Sequence, residues 1–246
     1  MKKRLTLMHL PRRDFLMASG SLAALPLLAS FPALAQTPAD TRIGVVGSGR
    51  LGGAVGTIFA KAGYKVMFSS RHPEELKNLV AEAGPNASAG TVQQAIAFGN
   101  VILMAVPYKA LPDVGRENAT ALKGKIVLDA CNPIPARDGD IVKEANANGV
   151  GETSLKYLPG VRLVRAFNSF GARSFATEGN RAGEKIGVPL ASDDREALRI
   201  AEKLVRDVGF EPVSVPLARG REFAPPAPLF TRALPVSQLK KELGIQ

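Results

Sequence analysis

The chain has 246 residues, 46% of them hydrophobic and 22% charged, with 32 Lys/Arg against 22 Asp/Glu for a formal net charge of +10. That length admits one substantial α/β domain, or one domain with a small appendage. Cys131 stands alone, which excludes an intrachain disulfide, and two histidines, His9 and His72, leave no material for a His-cluster metal site or a Ser-His-Asp triad.

The first 35 residues read as a targeting segment. A basic start (Met1 to Arg4) is followed by Arg12-Arg13 and Phe15-Leu16, an uncharged stretch from Leu16 to Ala35, and the small-x-small triplet Ala33-Leu34-Ala35 before Gln36. The paired arginines resemble the twin-arginine export signal, and the expected location is the periplasm or another exported compartment. An uncleaved anchor and a chance arginine pair are the alternatives. Cleavage removes five Lys/Arg and one Asp, leaving 27 basic and 21 acidic side chains, still net +6. Those basic residues are scattered and not interleaved with aromatics, which argues against nucleic acid and for an anionic small ligand.

After a polar linker, residues 36–41, strand-like and helix-like segments alternate: Ile43 to Val46, Leu51 to Ala62, Lys65 to Ser69, Pro73 to Ala83, a small helix Thr91 to Phe98, then the strand Val101 to Val106. A helical or mixed segment near Leu111 to Leu122 leads to the strand Ile126 to Ala130. This alternation predicts a parallel sheet covered by helices on both faces. From Cys131 to Gly160 the pattern loosens into a loop with one short helix around Asp140 to Ala147. Strands return at Val161 to Ala166 and Lys185 to Ala191. A periodic helix, Asp193 to Val208, with Ser192 or Asp193 as its cap and Leu198, Ala201, Leu204 and Val205 on one face, ends at Gly209, and a last strand, Glu211 to Val215, precedes the Pro-rich tail. The predicted fold is a doubly wound, mostly parallel Rossmann sheet over residues 42–135, with a small α/β extension over 136–223 forming the substrate side and a tail over 224–246.

Gly47-Ser48-Gly49-Arg50-Leu51-Gly52 places G-x-G-x-x-G between a strand and a helix. In that context Gly47 permits the tight turn, Gly49 lets the backbone approach a pyrophosphate, and Gly52 lets helix and strand pack closely, so the spacing predicts a dinucleotide site. At the end of the second strand NAD binders usually carry an acid. Here the segment is Ser69-Ser70-Arg71-His72, whose hydroxyls and guanidinium suit the 2′-phosphate of NADP(H). A solvated loop cation is the plainer reading of Arg71 alone, and likewise for His72. Ala105, Val106, Pro107 and Tyr108 follow the fourth strand at the carboxyl edge of the sheet, with Tyr108 as a stacking or closing group or simply an aromatic covering that edge. Asn132, Asn168 and Ser169 follow the fifth and sixth strands, and either converge on the nicotinamide or satisfy turn backbone.

The glycine turn, Ser69-Ser70-Arg71, Ala105-Val106-Pro107, Ala166-Phe167-Asn168-Ser169, Ala191-Ser192-Asp193-Asp194 and Gly209-Phe210-Glu211-Pro212 together resemble the NADP oxidoreductases dependent on coenzyme F-420, a 5-deazaflavin, from residue 42 to about 223. The same module is similar to the reductase domain of six-transmembrane metalloreductases. The resemblance implies hydride transfer between a nicotinamide and a deazaflavin, flavin or similar planar acceptor, a chemistry that depends on alignment more than on an acid or base. A non-catalytic dinucleotide sensor or partner-binding protein is the alternative; hydroxyacid and pyrroline-carboxylate dehydrogenases share the first half but add a large helical domain. The expected partners are a small-molecule redox acceptor and the export machinery. A homo-oligomer is left open, and neither nucleic acid, a metal, nor a membrane span after signal cleavage is expected.

Overall fold

The computed structural model describes residues 40–245. The expected targeting segment, residues 1–35, and most of the expected linker lie outside the described residues. The described chain packs as one compact unit, and none of its helices is long and apolar enough to cross a membrane.

The elements run β1 (Arg42–Val46), α1 (Arg50–Lys61), β2 (Lys65–Ser69), α2 (Lys77–Ala83), β3 (Ala87–Gly90), α3 (Val92–Phe98), β4 (Val101–Met104), α4 (Leu111–Leu122) and β5 (Ile126–Asp129). They continue with α5 (Pro135–Asp138), α6 (Ile141–Asn148), α7 (Val150–Tyr157), β6 (Arg162–Arg165), α8 (Ala172–Thr177), β7 (Gly187–Ala191), α9 (Arg195–Asp207), β8 (Glu211–Val215) and α10 (Val236–Glu242). All eight strands form one sheet in the order β3-β2-β1-β4-β5-β6-β7-β8. The first six are parallel, β7 meets β6 antiparallel, and β8 lies parallel to β7. The doubly wound, mostly parallel Rossmann arrangement expected from the alternation is what the chain forms. The sheet runs unbroken past residue 135, so the C-terminal α/β part extends the first half's sheet.

Strand alternation sorts the core into two layers. Ile43, Val45, Leu103, Leu128 and Val164 face one side, with α1 and α9; Val46, Ile102, Met104, Val127 and Leu163 face the other, where Leu111 and Leu122 of α4, Ala145 of α6 and Val150 of α7 pack. Central parallel strands are apolar on both faces for this reason. A third cluster gathers Val213 and Val215 of β8 with Phe223, Leu229, Leu234, Leu239 and Leu243. The Pro-rich tail, to which the sequence assigns no motif, is therefore folded onto the sheet.

Three features depart from the sequence expectation. The loop over 131–160 holds three short helices, α5 to α7, where one was expected. Strand β3 was missed because Ala87-Ser88-Ala89-Gly90 carries no β-branched or aromatic residue; it forms through its parallel register with β2, Val66 to Ala87 onward. The tail's helix α10 was missed because its apolar partners are distant in sequence.

Candidate functional site

Between β1 and β4 the strand order reverses, and at their carboxyl ends the chain opens the crevice where open α/β sheets bind ligands. A cleft of about 680 Å³ lies there. Gly47 has φ +94°, a left-handed conformation, and a Cβ on it would lie 2.6 Å from the Ala105 carbonyl oxygen; one on Gly52 would lie 2.0 Å from the Gly47 carbonyl oxygen. A Cβ on Gly49 would meet nothing within 4 Å. The first and third glycines are thus packed against protein, while the second faces open space. Gly49 caps α1 without a side-chain hydrogen bond, and the first turn carries no acid. Its free N–H groups and the helix dipole suit a phosphate anion.

Of the residues expected at the site, Gly49, Arg50, Leu51, Ala105, Val106, Pro107, Asn132 and Asn168 line the cleft. Ser48 stands in the turn with its hydroxyl buried and unpartnered. Ser69 is buried, and its hydroxyl accepts a long 3.4 Å bond from the Gly47 N–H, so it props the turn from behind. Ser70 Oγ accepts from the His72 N–H at 3.0 Å, shaping the loop that presents Arg71. Arg71 is exposed and, among the described residues, carries no hydrogen bond or ion pair on its guanidinium; His72 lies 3.4 Å from Glu74, both exposed.

Ser70, Arg71 and His72 lie outside the lining of the cleft, and two further expected residues turn away from it into the core. Tyr108 does not close the site: it is fully buried in the α4/α7 layer, its hydroxyl donates to the Val150 carbonyl at 2.9 Å, and Ser154 Oγ is 3.2 Å away. Burial and the nearby Asp129 push its phenol well above the ordinary value. The cause is a short turn over Tyr108–Ala110, which swings the ring into the core after Pro107. Ser169 is also buried and does not line the cleft; its hydroxyl is unpartnered, and its carbonyl accepts the Thr231 N–H at 2.6 Å.

Sequence reasoning missed the walls. Arg137, Phe170, Gly171, Arg173, Phe230 and Thr231 also line the cleft, with Ala130, Ile134 and Ala172 between them. Arg137 donates to the Asn132 carbonyl at 2.7 Å and is clamped by Asp138. Burial works against ionising Asp138, but Arg137 and the N–H groups of Ile134 and Lys109 outweigh it and hold that carboxyl below its usual range. Phe167, at φ +58°, is the strained residue that lets β6 end here: its ring turns into the core against Phe59, 5.4 Å between centroids, and Asn168 reaches the cleft. No signal in the sequence announces the tail's Phe230 and Thr231, which arrive from 60 residues beyond Phe170.

Chemically, the lining holds arginines, amides, small apolar groups and one aromatic ring from each of two segments, and no carboxylate, histidine, lysine or thiol. Cys131 is buried behind it, and burial with the neighbouring Asp129 raises its thiol well above the ordinary value. Among the described residues no cluster of three potential metal ligands occurs. Such a site can bind an anionic, planar ligand and keep water from it; it has no group to shuttle protons.

Residues 42–133 match the sequence model of the family described as NADP oxidoreductase, coenzyme F420-dependent. The metalloreductase STEAP3 of Rattus norvegicus is 29% identical over 202 residues, 80% of this chain and 38% of the rat protein. The chain therefore spans well under half the length of that relative. Among solved structures, a hypothetical protein of Sinorhizobium meliloti aligns with a TM-score of 0.69 at 25% identity, over 79% of this chain and 95% of the other. A chain from Arthrobacter sp. FB24, described as a candidate F420-dependent NADP reductase, aligns at 0.65 and 21% identity, over 83% and 96%; that likeness speaks to fold. Residues 42–133, rather more than a third of the chain, thus match the model of an NADP-dependent oxidoreductase family, and the likeness of fold extends to about four-fifths of the chain.

Proposed function

We propose that the chain is an NADP(H)-dependent oxidoreductase that exchanges hydride with a flavin, deazaflavin or similar planar acceptor. One observation carries the reading: the glycine turn is packed tight at Gly47 and Gly52 yet open at Gly49, above an uncapped helix N-terminus. The residues fit the cofactor. The first turn of α1 and Arg50 would hold the pyrophosphate, Arg71 beside β2 the 2′-phosphate, and Ala105 to Pro107 the floor beneath the nicotinamide. Bound there, the dinucleotide supplies a two-electron hydride donor. The protein's part would be to align the two rings and exclude water, a role for which the half-buried Phe230 on the cleft wall is the candidate. A lining without acid or base is compatible with that transfer, and equally with a sensor that binds cofactor without turnover.

Titration of NADPH and NADH, followed by nicotinamide fluorescence, tests the reading. NADPH should bind more tightly, and Arg71→Ala should cost about 10- to 100-fold for NADPH, the worth of a charge-assisted bond to phosphate, with little change for NADH. If neither nucleotide binds, the proposal fails. Binding with no acceleration of NADPH oxidation by any flavin or deazaflavin acceptor favours the sensor. The proposal includes export, supported by the arrangement of residues 1–35, with cofactor loaded before translocation. Replacing Arg12 and Arg13 together with lysine should hold the protein in the cytoplasm, and mass spectrometry of nucleotide copurifying from the periplasmic fraction should find NADP(H).

A further inference from the structure

At the carboxyl ends of β5 and β6 a buried charge fixes the direction of two amides in turn. Asp129 and Arg165 are register partners, both fully buried, and Arg165 Nη1 donates to Asp129 Oδ2 at 2.7 Å and to the Cys131 carbonyl at 2.6 Å. Arg165 Nη2 donates to Asn132 Oδ1 at 3.0 Å. A guanidinium has donors only, so the Asn132 amide must turn its oxygen toward Arg165, which leaves its Nδ2 to donate to the Asn168 carbonyl at 2.8 Å. Asn132 Oδ1 also accepts from Asn168 Nδ2 at 3.1 Å, and the same Nδ2 donates to the Phe223 carbonyl at 3.3 Å. Flipping the Asn168 amide would set its oxygen against two acceptors, so its polarity follows from Arg165. What remains is Asn168 Oδ1: buried, without a partner, on a residue that is 1% exposed and lines the cleft. A buried acceptor left unmade destabilises the protein, and such orphans call for a partner.

We propose that Asn168 Oδ1 receives an amide-type N–H from a planar ring held in the cleft, and that Arg165 and Asn132 are positioning residues that keep it an acceptor. The inference rests on the NADP(H) reading above. Two rings carry such a donor: the nicotinamide, through its carboxamide NH2, and a flavin-like acceptor, through its imide N–H.

Deleting each donor in the ligand tests this on the wild-type protein. NADP+ is compared with its 3-acetylpyridine analogue, where a methyl replaces the carboxamide NH2, by titration calorimetry; lumiflavin is compared with 3-methyllumiflavin as acceptor by KM. One of the two comparisons should show a preference of about tenfold for the N–H-bearing ligand, and which one names the ring. Asn168→Ala and Asn132→Ala, checked for native melting, should erase that preference while NADP+ still binds through its phosphates. A variant that merely loosened the structure would weaken both ligands of a pair alike. Wild-type protein that binds NADP+ but is indifferent to both deletions overturns this proposal alone. A preference that survives in folded Asn168→Ala overturns it too. Wild-type protein that does not bind NADP+ overturns the cofactor reading and this proposal with it.

Discussion

At the scale of single residues, the glycine turn divides its labour in a way that substitutions can separate. A methyl on Gly52 would lie 2.0 Å from the Gly47 carbonyl oxygen, so Gly52→Ala must push helix α1 off the turn; a methyl on Gly49 meets nothing within 4 Å in the protein. Gly49 also has φ −73°, which alanine adopts freely. Gly49→Ala should therefore leave thermal stability within about 0.5 kcal/mol of wild type, yet weaken NADPH binding about tenfold or more, because the methyl stands where a phosphate would approach. Gly52→Ala should lose both stability, by about 1–3 kcal/mol as overpacking does, and binding. Melting curves read beside cofactor titrations check this. Equal stability losses in the two variants would mean that Gly49 does not face ligand space. These glycines were legible in the sequence because a turn's demands are local. Tyr108 was not, because its place in the core depends on Val150 and Ser154, forty-odd residues away.

At the scale of elements, Asp194 joins α9 to the sheet. Its carboxylate caps the helix, accepting from the N–H groups of Glu196 at 3.1 Å and Ala197 at 2.9 Å. The same carboxylate receives two bonds from Arg162 at the start of β6, at 2.7 and 2.8 Å. The Arg162 bonds chiefly, with the cap, lower its pKa from 3.8 to about 2. The folded value lies below the unfolded one, so the stabilisation is full above about pH 5 and is lost as pH falls through 4 toward 2. Both side chains are about 30% exposed, and solvent screening trims the effect to about 1–2 kcal/mol. Asp194→Asn should cost that much at neutral pH and nothing near pH 2, measured by urea melts across the range; a constant deficit at every pH would place its cause in packing. Helix α9, with its apolar stripe and Gly209 stop, was readable in sequence, whereas its cap falls on Asp194 rather than on Ser192 or Asp193, and the Arg162 clamp was not legible at all. The helices over 131–160 escaped for a related reason. They are short, bounded by Pro135, Gly139 and Gly149, and are settled by packing: α7 against α4 and β6, α6 against α7, and α5 against α6.

At the scale of the molecule, the tail is the part the sequence conceals most, and it serves two ends. Beyond Phe223 it runs to the start of β7, where the Gly187 N–H donates to the Leu234 carbonyl at 2.9 Å and the Val236 N–H to the Lys185 carbonyl at 3.0 Å, then buries Leu239 and Leu243 near β7 and β8. Leu239 covers Gly187 so closely that a Cβ there would lie 2.7 Å from its Cδ2. On the way the tail lends Phe230 and Thr231 to the cleft, with Thr231 held at φ +71°. That conformation is costly for a β-branched residue, and the bond from its N–H to the Ser169 carbonyl secures it. Packing and site are thus carried by different residues of one segment, and substitutions should divide them. Leu239→Ala removes a buried side chain far from the lining, and should lower unfolding free energy by about 2–5 kcal/mol while leaving NADPH affinity unchanged under native conditions. Phe230→Ala removes a half-buried ring from the cleft wall. Its cost should appear as a several-fold rise in acceptor KM, with less than about 1 kcal/mol in stability, because a partly exposed side chain forfeits only part of its burial energy. Denaturant melts and steady-state kinetics on both variants decide the matter. If Leu239→Ala moves KM as far as Phe230→Ala does, the tail acts as one rigid strap, and its stability and the site's shape are a single property.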